Sequence, residues 1–179
     1  MHKQNAWIYV SISKQLMCCY DKDVCLARYV ISTGKNGAGE LENTGCTPRG
    51  WHEVADIIGL NCPRGAVFVS RVWTGEIFSS LDEQQLNRDW ILTRIIRLAG
   101  LEPGFNQGKP FDTYDRMIYI HGTSDEAHLG IPMSHGCIRM ANQDMIELAN
   151  WVKKGMKVYI DESFHDPLPP ELNNWSIES

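Results

Sequence analysis

Short runs of β-branched and aromatic residues, separated by segments rich in Gly, Asn and Pro, make up most of this chain. The runs at 6–12 and 25–32 predict strands, with a turn at 21–23 between strands. The segment 34–50 predicts a long loop, and 65–77 returns to strand character. The pattern indicates a mainly β protein.

The middle of the chain continues in the same way, with one exception. The spacing of Ser80 and Glu83 fits a capping box and predicts a short helix. The β-favouring run 90–96 then predicts a strand, 100–113 a loop, and 117–121 a further strand.

The clearest helix is predicted over 142–155. Its apolar residues recur at helical spacing: Met145, Leu148, Ala149 and Val152. Asn142 is the predicted N-cap, and Gly155 is the predicted glycine after the C-terminus. A last strand is expected at 156–160.

Length and charge limit the classes of protein that fit. The 179 residues predict one domain over 1–163, followed by a C-terminal tail over 164–179. The net charge of −5 argues against nucleic acid as a partner. No apolar run reaches the length of a membrane span, so no membrane insertion is expected. The oligomeric state is not predicted.

The first twelve residues contain no export-type apolar region, so we expect a cytoplasmic protein. If an export leader has been removed, the protein would be periplasmic. The six cysteines form no C-x-x-C pair and no zinc-like spacing: Cys18, Cys19, Cys25, Cys46, Cys62 and Cys137. Reduced thiols are expected in the cytoplasm.

Two segments carry the chemistry. Residues 134–140 read Ser-His-Gly-Cys-Ile-Arg-Met, and residues 119–123 read Tyr-Ile-His-Gly-Thr. Thiol catalysis needs a base that can take the proton from sulfur, and histidine is the usual one. A glycine beside the cysteine lets a substrate approach and leaves backbone N–H groups available to an oxyanion.

Together these segments resemble the signature of the L,D-transpeptidase catalytic domain, the YkuD-type family. The resemblance extends over roughly residues 6–162. Residues 8–16 resemble the family's first strand, 29–34 with 46–50 its Ser-Thr-Gly and Thr-Pro-x-Gly segments, and 142–160 its closing helix and strand. It implies a mixed-sheet β-sandwich with the cysteine in a cleft.

The resemblance also implies roles in catalysis. Cys137 would be the nucleophile and His121 the base, with the Gly122 carbonyl orienting the imidazole. His135 is a rival for the base, although in the family it shapes the site. The backbone N–H groups of Gly136 and Cys137 are candidate oxyanion donors.

Other residues are candidates for binding substrate. Arg139 could hold a peptide carboxylate through two hydrogen bonds, or it could form a structural salt bridge. Ser134 is expected to support the loop, and Tyr119 lines the cleft or belongs to the core. The sequence does not decide whether three further residues line the cleft: Arg71, Trp73 and Arg94.

Neither a metal nor a cofactor is expected. His121, His128 and His135 are spaced seven residues apart, which is not a zincin spacing, and an HExxH helix is missing from the sequence.

Members of the family attack the L,D bond of peptidoglycan tetrapeptide stems, between diaminopimelate and D-alanine, and pass through a thioester. Water as acceptor makes an L,D-carboxypeptidase, and an amine from a second stem makes a cross-linking L,D-transpeptidase. The expected cytoplasmic location favours the carboxypeptidase of murein recycling, with muropeptides or stem peptides as partners. A third alternative is an inactive murein-binding module.

Overall fold

The computed structural model describes residues 5–78 and 89–165, and within these ranges the chain forms ten strands and one α-helix. The strands are β1 (Ala6–Ser11), β2 (Leu16–Asp21), β3 (Val24–Ser32), β4 (Gly50–Ile58), β5 (Ala66–Val69), β6 (Val72–Ile77), β7 (Ile91–Gly100), β8 (Tyr119–Gly122), β9 (Ile138–Met140) and β10 (Lys157–Asp161). The helix α1 is Asn142–Trp151. The helix predicted from Ser80 lies outside the described residues.

The strands form one mixed sheet in the order β4-β10-β1-β2-β3-β9-β8-β7-β5-β6. Strand β4 also pairs with β7, so that eight strands close into a ring from which β5 and β6 extend. The pairs β1–β10 and β8–β9 are parallel. A sheet closed on itself encloses its core, and the predicted mainly β, mixed-sheet β-sandwich with one helix is confirmed.

The main core lies inside this ring. Ile8, Val10, Ile120 and Ile138 are fully buried there, and α1 adds apolar side chains such as Leu148. A second, aromatic cluster lies on the other face of β1 and β2 and contains Trp7, Tyr9, Cys18 and Tyr20. Because alternate residues of a strand point to opposite faces and both faces of β1 pack against apolar clusters, β1 is apolar from Ala6 to Val10.

The predicted strand over 65–77 is two strands, β5 and β6, joined by a turn at Ser70 and Arg71. Strands β2 and β4 carried no separate prediction, because neither stands out from its flanking residues by periodicity. The strand predicted over 90–96 is confirmed and extends to Gly100.

The predicted ends of the helix were wrong. Ala141 is the N-cap, and Asn142 lies in the first turn. The helix ends at Trp151 rather than near Gly155, because the chain is extended at Val152 (φ −70°, ψ 159°) and then joins the sheet. There the Gly155 N–H donates to the carbonyl of Val54 at 2.8 Å.

The end of the described chain packs against the sheet. The ring of Phe164 lies 6.2 Å from that of Tyr9, and the backbone N–H of His165 donates to the Tyr9 hydroxyl. Residues 166–179 lie outside the described residues, so the domain boundary after 163 stays a prediction. In the ranges that are described, no helix is long and apolar enough to cross a membrane.

Candidate active site

Cys137 lies immediately before β9, beside β8. The parallel pairing of Ile120 with Ile138 places Cys137 next to Tyr119. The Tyr119 backbone N–H donates to Sγ at 3.4 Å, and the thiol donates to the carbonyl of Met117 at 3.5 Å. Two backbone groups therefore hold the sulfur on one face of β8, the face that carries the Tyr119 side chain.

His121 is on that same face, two residues along from Tyr119, and is buried. Its Nδ1 lies 2.7 Å from the carbonyl oxygen of Gly122. A carbonyl can only accept a hydrogen bond, so Nδ1 carries the proton and Nε2 is the basic nitrogen. Among the described residues no hydrogen bond joins His121 to Cys137, and such bonds are often long before substrate binds.

Burial decides the charge of both groups. It raises the pKa of the Cys137 thiol to about 12, although the Tyr119 N–H and the charge of Arg116 act in the opposite direction. Burial also lowers the pKa of His121 below its usual value of 6.5. At neutral pH the pair is therefore a neutral thiol and a neutral imidazole.

The loop that carries the cysteine is held from within. The Ser134 hydroxyl donates to the Cys137 carbonyl at 2.5 Å and accepts from the Gly136 N–H at 3.1 Å. From the loop at 34–50, the Thr47 hydroxyl donates to the Gly136 carbonyl at 2.8 Å. Two N–H groups are candidate oxyanion donors. The Gly136 N–H already donates to Ser134, so the Cys137 N–H is the one that stays available.

Glycine is required at position 136. Its φ is +122°, and a Cβ there would lie 3.0 Å from the Cys46 carbonyl oxygen and 3.2 Å from a methyl of Ile118. The close approach of the loop containing Cys46 sets the position of the Gly136-Cys137 peptide.

Arg139 is only 4% exposed and its guanidinium contacts protein groups. One nitrogen lies 3.4 Å from Asp89, and the other lies 3.7 Å from Asp125 and 3.2 Å from the Ser32 hydroxyl. This geometry is that of the structural salt bridge. A substrate carboxylate would have to compete with Asp89 for the guanidinium.

His135 and Tyr119 occupy opposite environments. The imidazole of His135 is 87% exposed at the rim, with Nδ1 3.2 Å from Asp89. The Tyr119 ring is buried in a small apolar cluster that Cys137 also contacts, and its hydroxyl accepts from Arg71 at 3.2 Å. Tyr119 thus forms the wall beside the sulfur.

Sequence reasoning missed the polar cluster that supports Gly122. The Asn142 amide donates to the Thr123 carbonyl at 2.7 Å and to Glu126 at 2.8 Å, and it accepts from the Thr93 hydroxyl at 2.5 Å. Thr93 has φ +75°, a strained value for a β-branched residue. A Cβ at Gly122 would collide with the Asn142 amide oxygen.

Sequence reasoning also missed Arg116. It donates to the carbonyls of Gly39, Glu40 and Cys46 at 3.1, 2.8 and 2.6 Å, and so holds the loop that packs against Gly136. Neither Arg116 nor Asp89 lies in a motif, and no local signal in the sequence marks either residue.

Arg71, Trp73 and Arg94, which the sequence left undecided as cleft residues, have different surroundings in the structure. Arg71 reaches Tyr119, as described above. Trp73 lies on β6 and is exposed, and its indole N–H donates to the Glu76 carbonyl. Arg94 is buried and donates to the Thr93 carbonyl at 2.6 Å.

A cavity of about 190 Å³ lies beside the rim, lined by Phe68, Val69, Ser70, Asp89, Trp90 and Ile91. It adjoins the site through Asp89, which contacts both His135 and Arg139.

The three histidines spaced seven residues apart each contact a different group. His121 contacts Gly122, and His128 contacts Asp125 at 2.6 Å. Within 5–78 and 89–165, no group of three His, Cys, Asp or Glu side chains is placed to hold a metal ion.

A family model described as the L,D-transpeptidase catalytic domain, YkuD, matches residues 5–160. The chain belongs to this family. Among curated relatives of the domain, the YkuD proteins of Bacillus subtilis (strain 168) and Bacillus licheniformis are 46% and 43% identical over 61 and 60 residues. Each match covers 31% of this chain and about a third of the relative (37% and 36%).

Solved structures of L,D-transpeptidases share the fold. One from Xylanimonas cellulosilytica superimposes with a TM-score of 0.52 at 17% identity, over 88% of this chain and 60% of that one. Another, from Mycobacterium tuberculosis H37Rv, gives 0.54 at 18% identity, over 88% and 58%. L,D-transpeptidase 3 from M. tuberculosis, in complex with a faropenem-derived adduct, gives 0.54 at 16% identity, over 88% and 60%.

Proposed function

We propose that this domain cleaves the L,D bond of peptidoglycan tetrapeptide stems, between diaminopimelate and D-alanine, with Cys137 as nucleophile and His121 as base. The observation that supports this most is the shared face of β8 and β9. There two backbone groups hold the thiol, and the Gly122 carbonyl leaves Nε2 of His121 as a proton acceptor. The thiol, immediately before β9, and the imidazole, on β8, thus lie on the same face of the sheet.

The proposed reaction starts from the neutral pair. As Sγ bonds to the diaminopimelate carbonyl carbon, the thiol proton passes to Nε2 of His121. The resulting oxyanion lies near the Cys137 N–H. When the C–N bond breaks, His121 returns the proton to the leaving amine of D-alanine, and a thioester remains on Cys137. Burial raises the pKa of the thiol, which favours proton transfer that accompanies the attack.

Water is the proposed acceptor of the acyl group, which makes the enzyme an L,D-carboxypeptidase of murein recycling. His121 takes a proton from water as the water oxygen attacks the thioester carbonyl carbon. The C–S bond then breaks, and His121 returns the proton to Sγ of Cys137. We place this activity in the cytoplasm.

Cross-linking is the second candidate, because the matched relatives and structures are named L,D-transpeptidases. In that case an amine of a second stem, or a free D-amino acid, would replace water. The two candidates share every step up to the thioester and differ only in what resolves it.

Mass spectrometry of a disaccharide-tetrapeptide and of the free tetrapeptide distinguishes them. We expect tripeptide and D-alanine, lost in Cys137→Ala. Cross-linked dimers or exchanged terminal residues would establish the transpeptidase instead. Peptide that binds without turnover, with Cys137 inert to acylating reagents, would establish the murein-binding module.

A β-lactam probe tests the nucleophile separately. Solved relatives carry imipenem or a faropenem-derived adduct. We expect a carbapenem to add its own mass to this protein, with the adduct on the peptide containing Cys137. An adduct on any other of the six cysteines would contradict the proposed nucleophile.

A further inference from the structure

Arg71 lies in an unusual turn at the rim of the site. Val69 pairs with Val72, so Ser70 and Arg71 form a two-residue hairpin turn between β5 and β6. Both have positive φ, 48° and 66°. This turn ordinarily selects Asn-Gly or Gly-Gly, and left-handed backbone in other residues costs about 1–2 kcal/mol each. Strain of this kind tends to occur at functional positions.

The side chain of Arg71 reaches the residues that hold the nucleophile. Its Nη1 lies 3.2 Å from the Tyr119 hydroxyl and 3.5 Å from Sδ of Met117. The backbones of these same two residues contact Sγ of Cys137. The guanidinium thus lies at the mouth of the site. It contacts the side chains of the two residues whose backbones contact the sulfur.

Among the described residues, no carboxylate compensates the charge of Arg71. Its contacts are a phenol and a thioether, and no carboxylate among residues 5–78 and 89–165 forms an ion pair with it. The two other arginines that act on the site are engaged: Arg139 by Asp89 and Arg116 by loop carbonyls. A guanidinium with open donors can bind a carboxylate through two parallel hydrogen bonds.

We propose that Arg71 binds a carboxylate of the substrate peptide and so positions the L,D bond over Cys137. This rests on the proposed function and assigns to Arg71 the binding role considered above for Arg139. Two carboxylates flank the scissile bond: the C-terminus of D-alanine and the side-chain carboxylate of diaminopimelate. Both offer the same chemistry, and the test separates them.

The test compares Arg71→Gly with Ser70→Gly. Glycine accepts the φ of this turn, so Arg71→Gly relieves strain while removing the guanidinium, and Ser70→Gly relieves strain while keeping it. With the tetrapeptide, we expect Arg71→Gly to raise KM about 10-fold or more and to change kcat little. Ser70→Gly should leave both close to wild type.

Amidated peptides identify the carboxylate. If the tetrapeptide with a C-terminal amide shows the same KM in wild type and Arg71→Gly, the D-alanine carboxylate is the ligand. If the side-chain amide abolishes the difference instead, it is the diaminopimelate carboxylate. An equal KM effect with the doubly amidated peptide, or no KM effect at all, would overturn the proposal.

Binding to Cys137→Ser separates this proposal from the proposed function. Turnover by wild type without dependence on Arg71 overturns the role of Arg71 alone. Peptide that neither turns over in wild type nor binds to Cys137→Ser overturns both. Alkylation of Cys137 by neutral iodoacetamide should proceed equally in wild type and Arg71→Gly, which shows that the variant retains the site.

Discussion

Nδ1 of His121 and the carbonyl oxygen of Gly122 lie 2.7 Å apart, so a backbone group determines which imidazole nitrogen carries the proton. This carbonyl is itself held in place, because the amide oxygen of Asn142 and the carbonyl of Leu92 occupy the space where a side chain at 122 would lie. The orientation of the proposed base therefore depends on contacts between β8, β7 and the start of α1.

Replacing the proposed base should slow acylation without unfolding the protein. We expect His121→Gln to reduce the acylation rate by about 10²–10⁴-fold, the usual contribution of a positioned base. The rate is measured as acyl-enzyme mass against time. His165→Gln, which removes an exposed histidine beside Asp161, is the matched control. A larger loss in His135→Gln would assign the base to His135.

The acid limb of the pH–rate profile should lie below pH 6.5. Burial lowers the pKa of His121, so the neutral, basic form persists below the usual histidine value. Activity is then present above this pKa and is lost as the pH falls through it. The measurement is kcat/KM from pH 4 to pH 8, with circular dichroism at each pH to show that the protein stays folded. A midpoint above 6.5 would contradict the neutral pair.

Arg139→Met should act on stability rather than on KM. It removes the partner of Asp89 and Asp125, which are partly exposed, so we expect a loss of about 2 kcal/mol rather than the larger loss of a fully buried pair. Urea unfolding measures it. Lys154→Met, which breaks an exposed pair with Asp56, should cost under about 1 kcal/mol. A raised KM that disappears with amidated peptide would instead make Arg139 a substrate ligand.

Asn142→Asp should weaken the hydrogen-bonded cluster that supports Gly122, while the side chain at 142 keeps nearly the same size. The new carboxylate would face the Thr123 carbonyl and Glu126, which now accept hydrogen bonds from the amide. We expect a loss of about 3 kcal/mol in the free energy of unfolding at pH 7, and slower acylation. Asn150→Asp, exposed on the same helix, is the control. Equal stability of the two variants would show that the cluster is not needed.

Stability should fall between pH 7 and pH 5 because of His52. This side chain is fully buried between the Gly50 carbonyl and the Thr113 hydroxyl, and burial lowers its pKa to about 4. Between pH 6.5 and pH 4 the unfolded chain binds the extra proton, so stability is present above 6.5 and is lost as the pH falls. The expected loss at pH 5 is about 2 kcal/mol.

Urea unfolding at the two pH values measures this dependence. His52→Gln should show a smaller difference between pH 7 and pH 5, whereas His165→Gln should retain the wild-type difference. A flat profile in wild type would contradict a neutral, buried His52.

Much of the fold could be predicted from the sequence because its signals are local. The run 90–96, the strand at 25–32 and the helical spacing after Asn142 each reflect the period of one element, and β7, β3 and α1 are found there. The C-terminal end of α1 could not be predicted, because pairing of the following residues with β4 ends the helix. Closure of the sheet through β4 and β7 is likewise a contact between distant segments.

The sequence by itself determined the family and the candidate pair, since Cys137 and His121 stand in two short motifs whose spacing is readable along the chain. Only the tertiary structure decided the electrostatic setting of that pair: which imidazole nitrogen is basic, that burial keeps both groups neutral, and that Asp89 engages Arg139. It also brought Arg71 to the rim. Charges and hydrogen bonds act through space, and the chain brings together residues that are far apart in sequence.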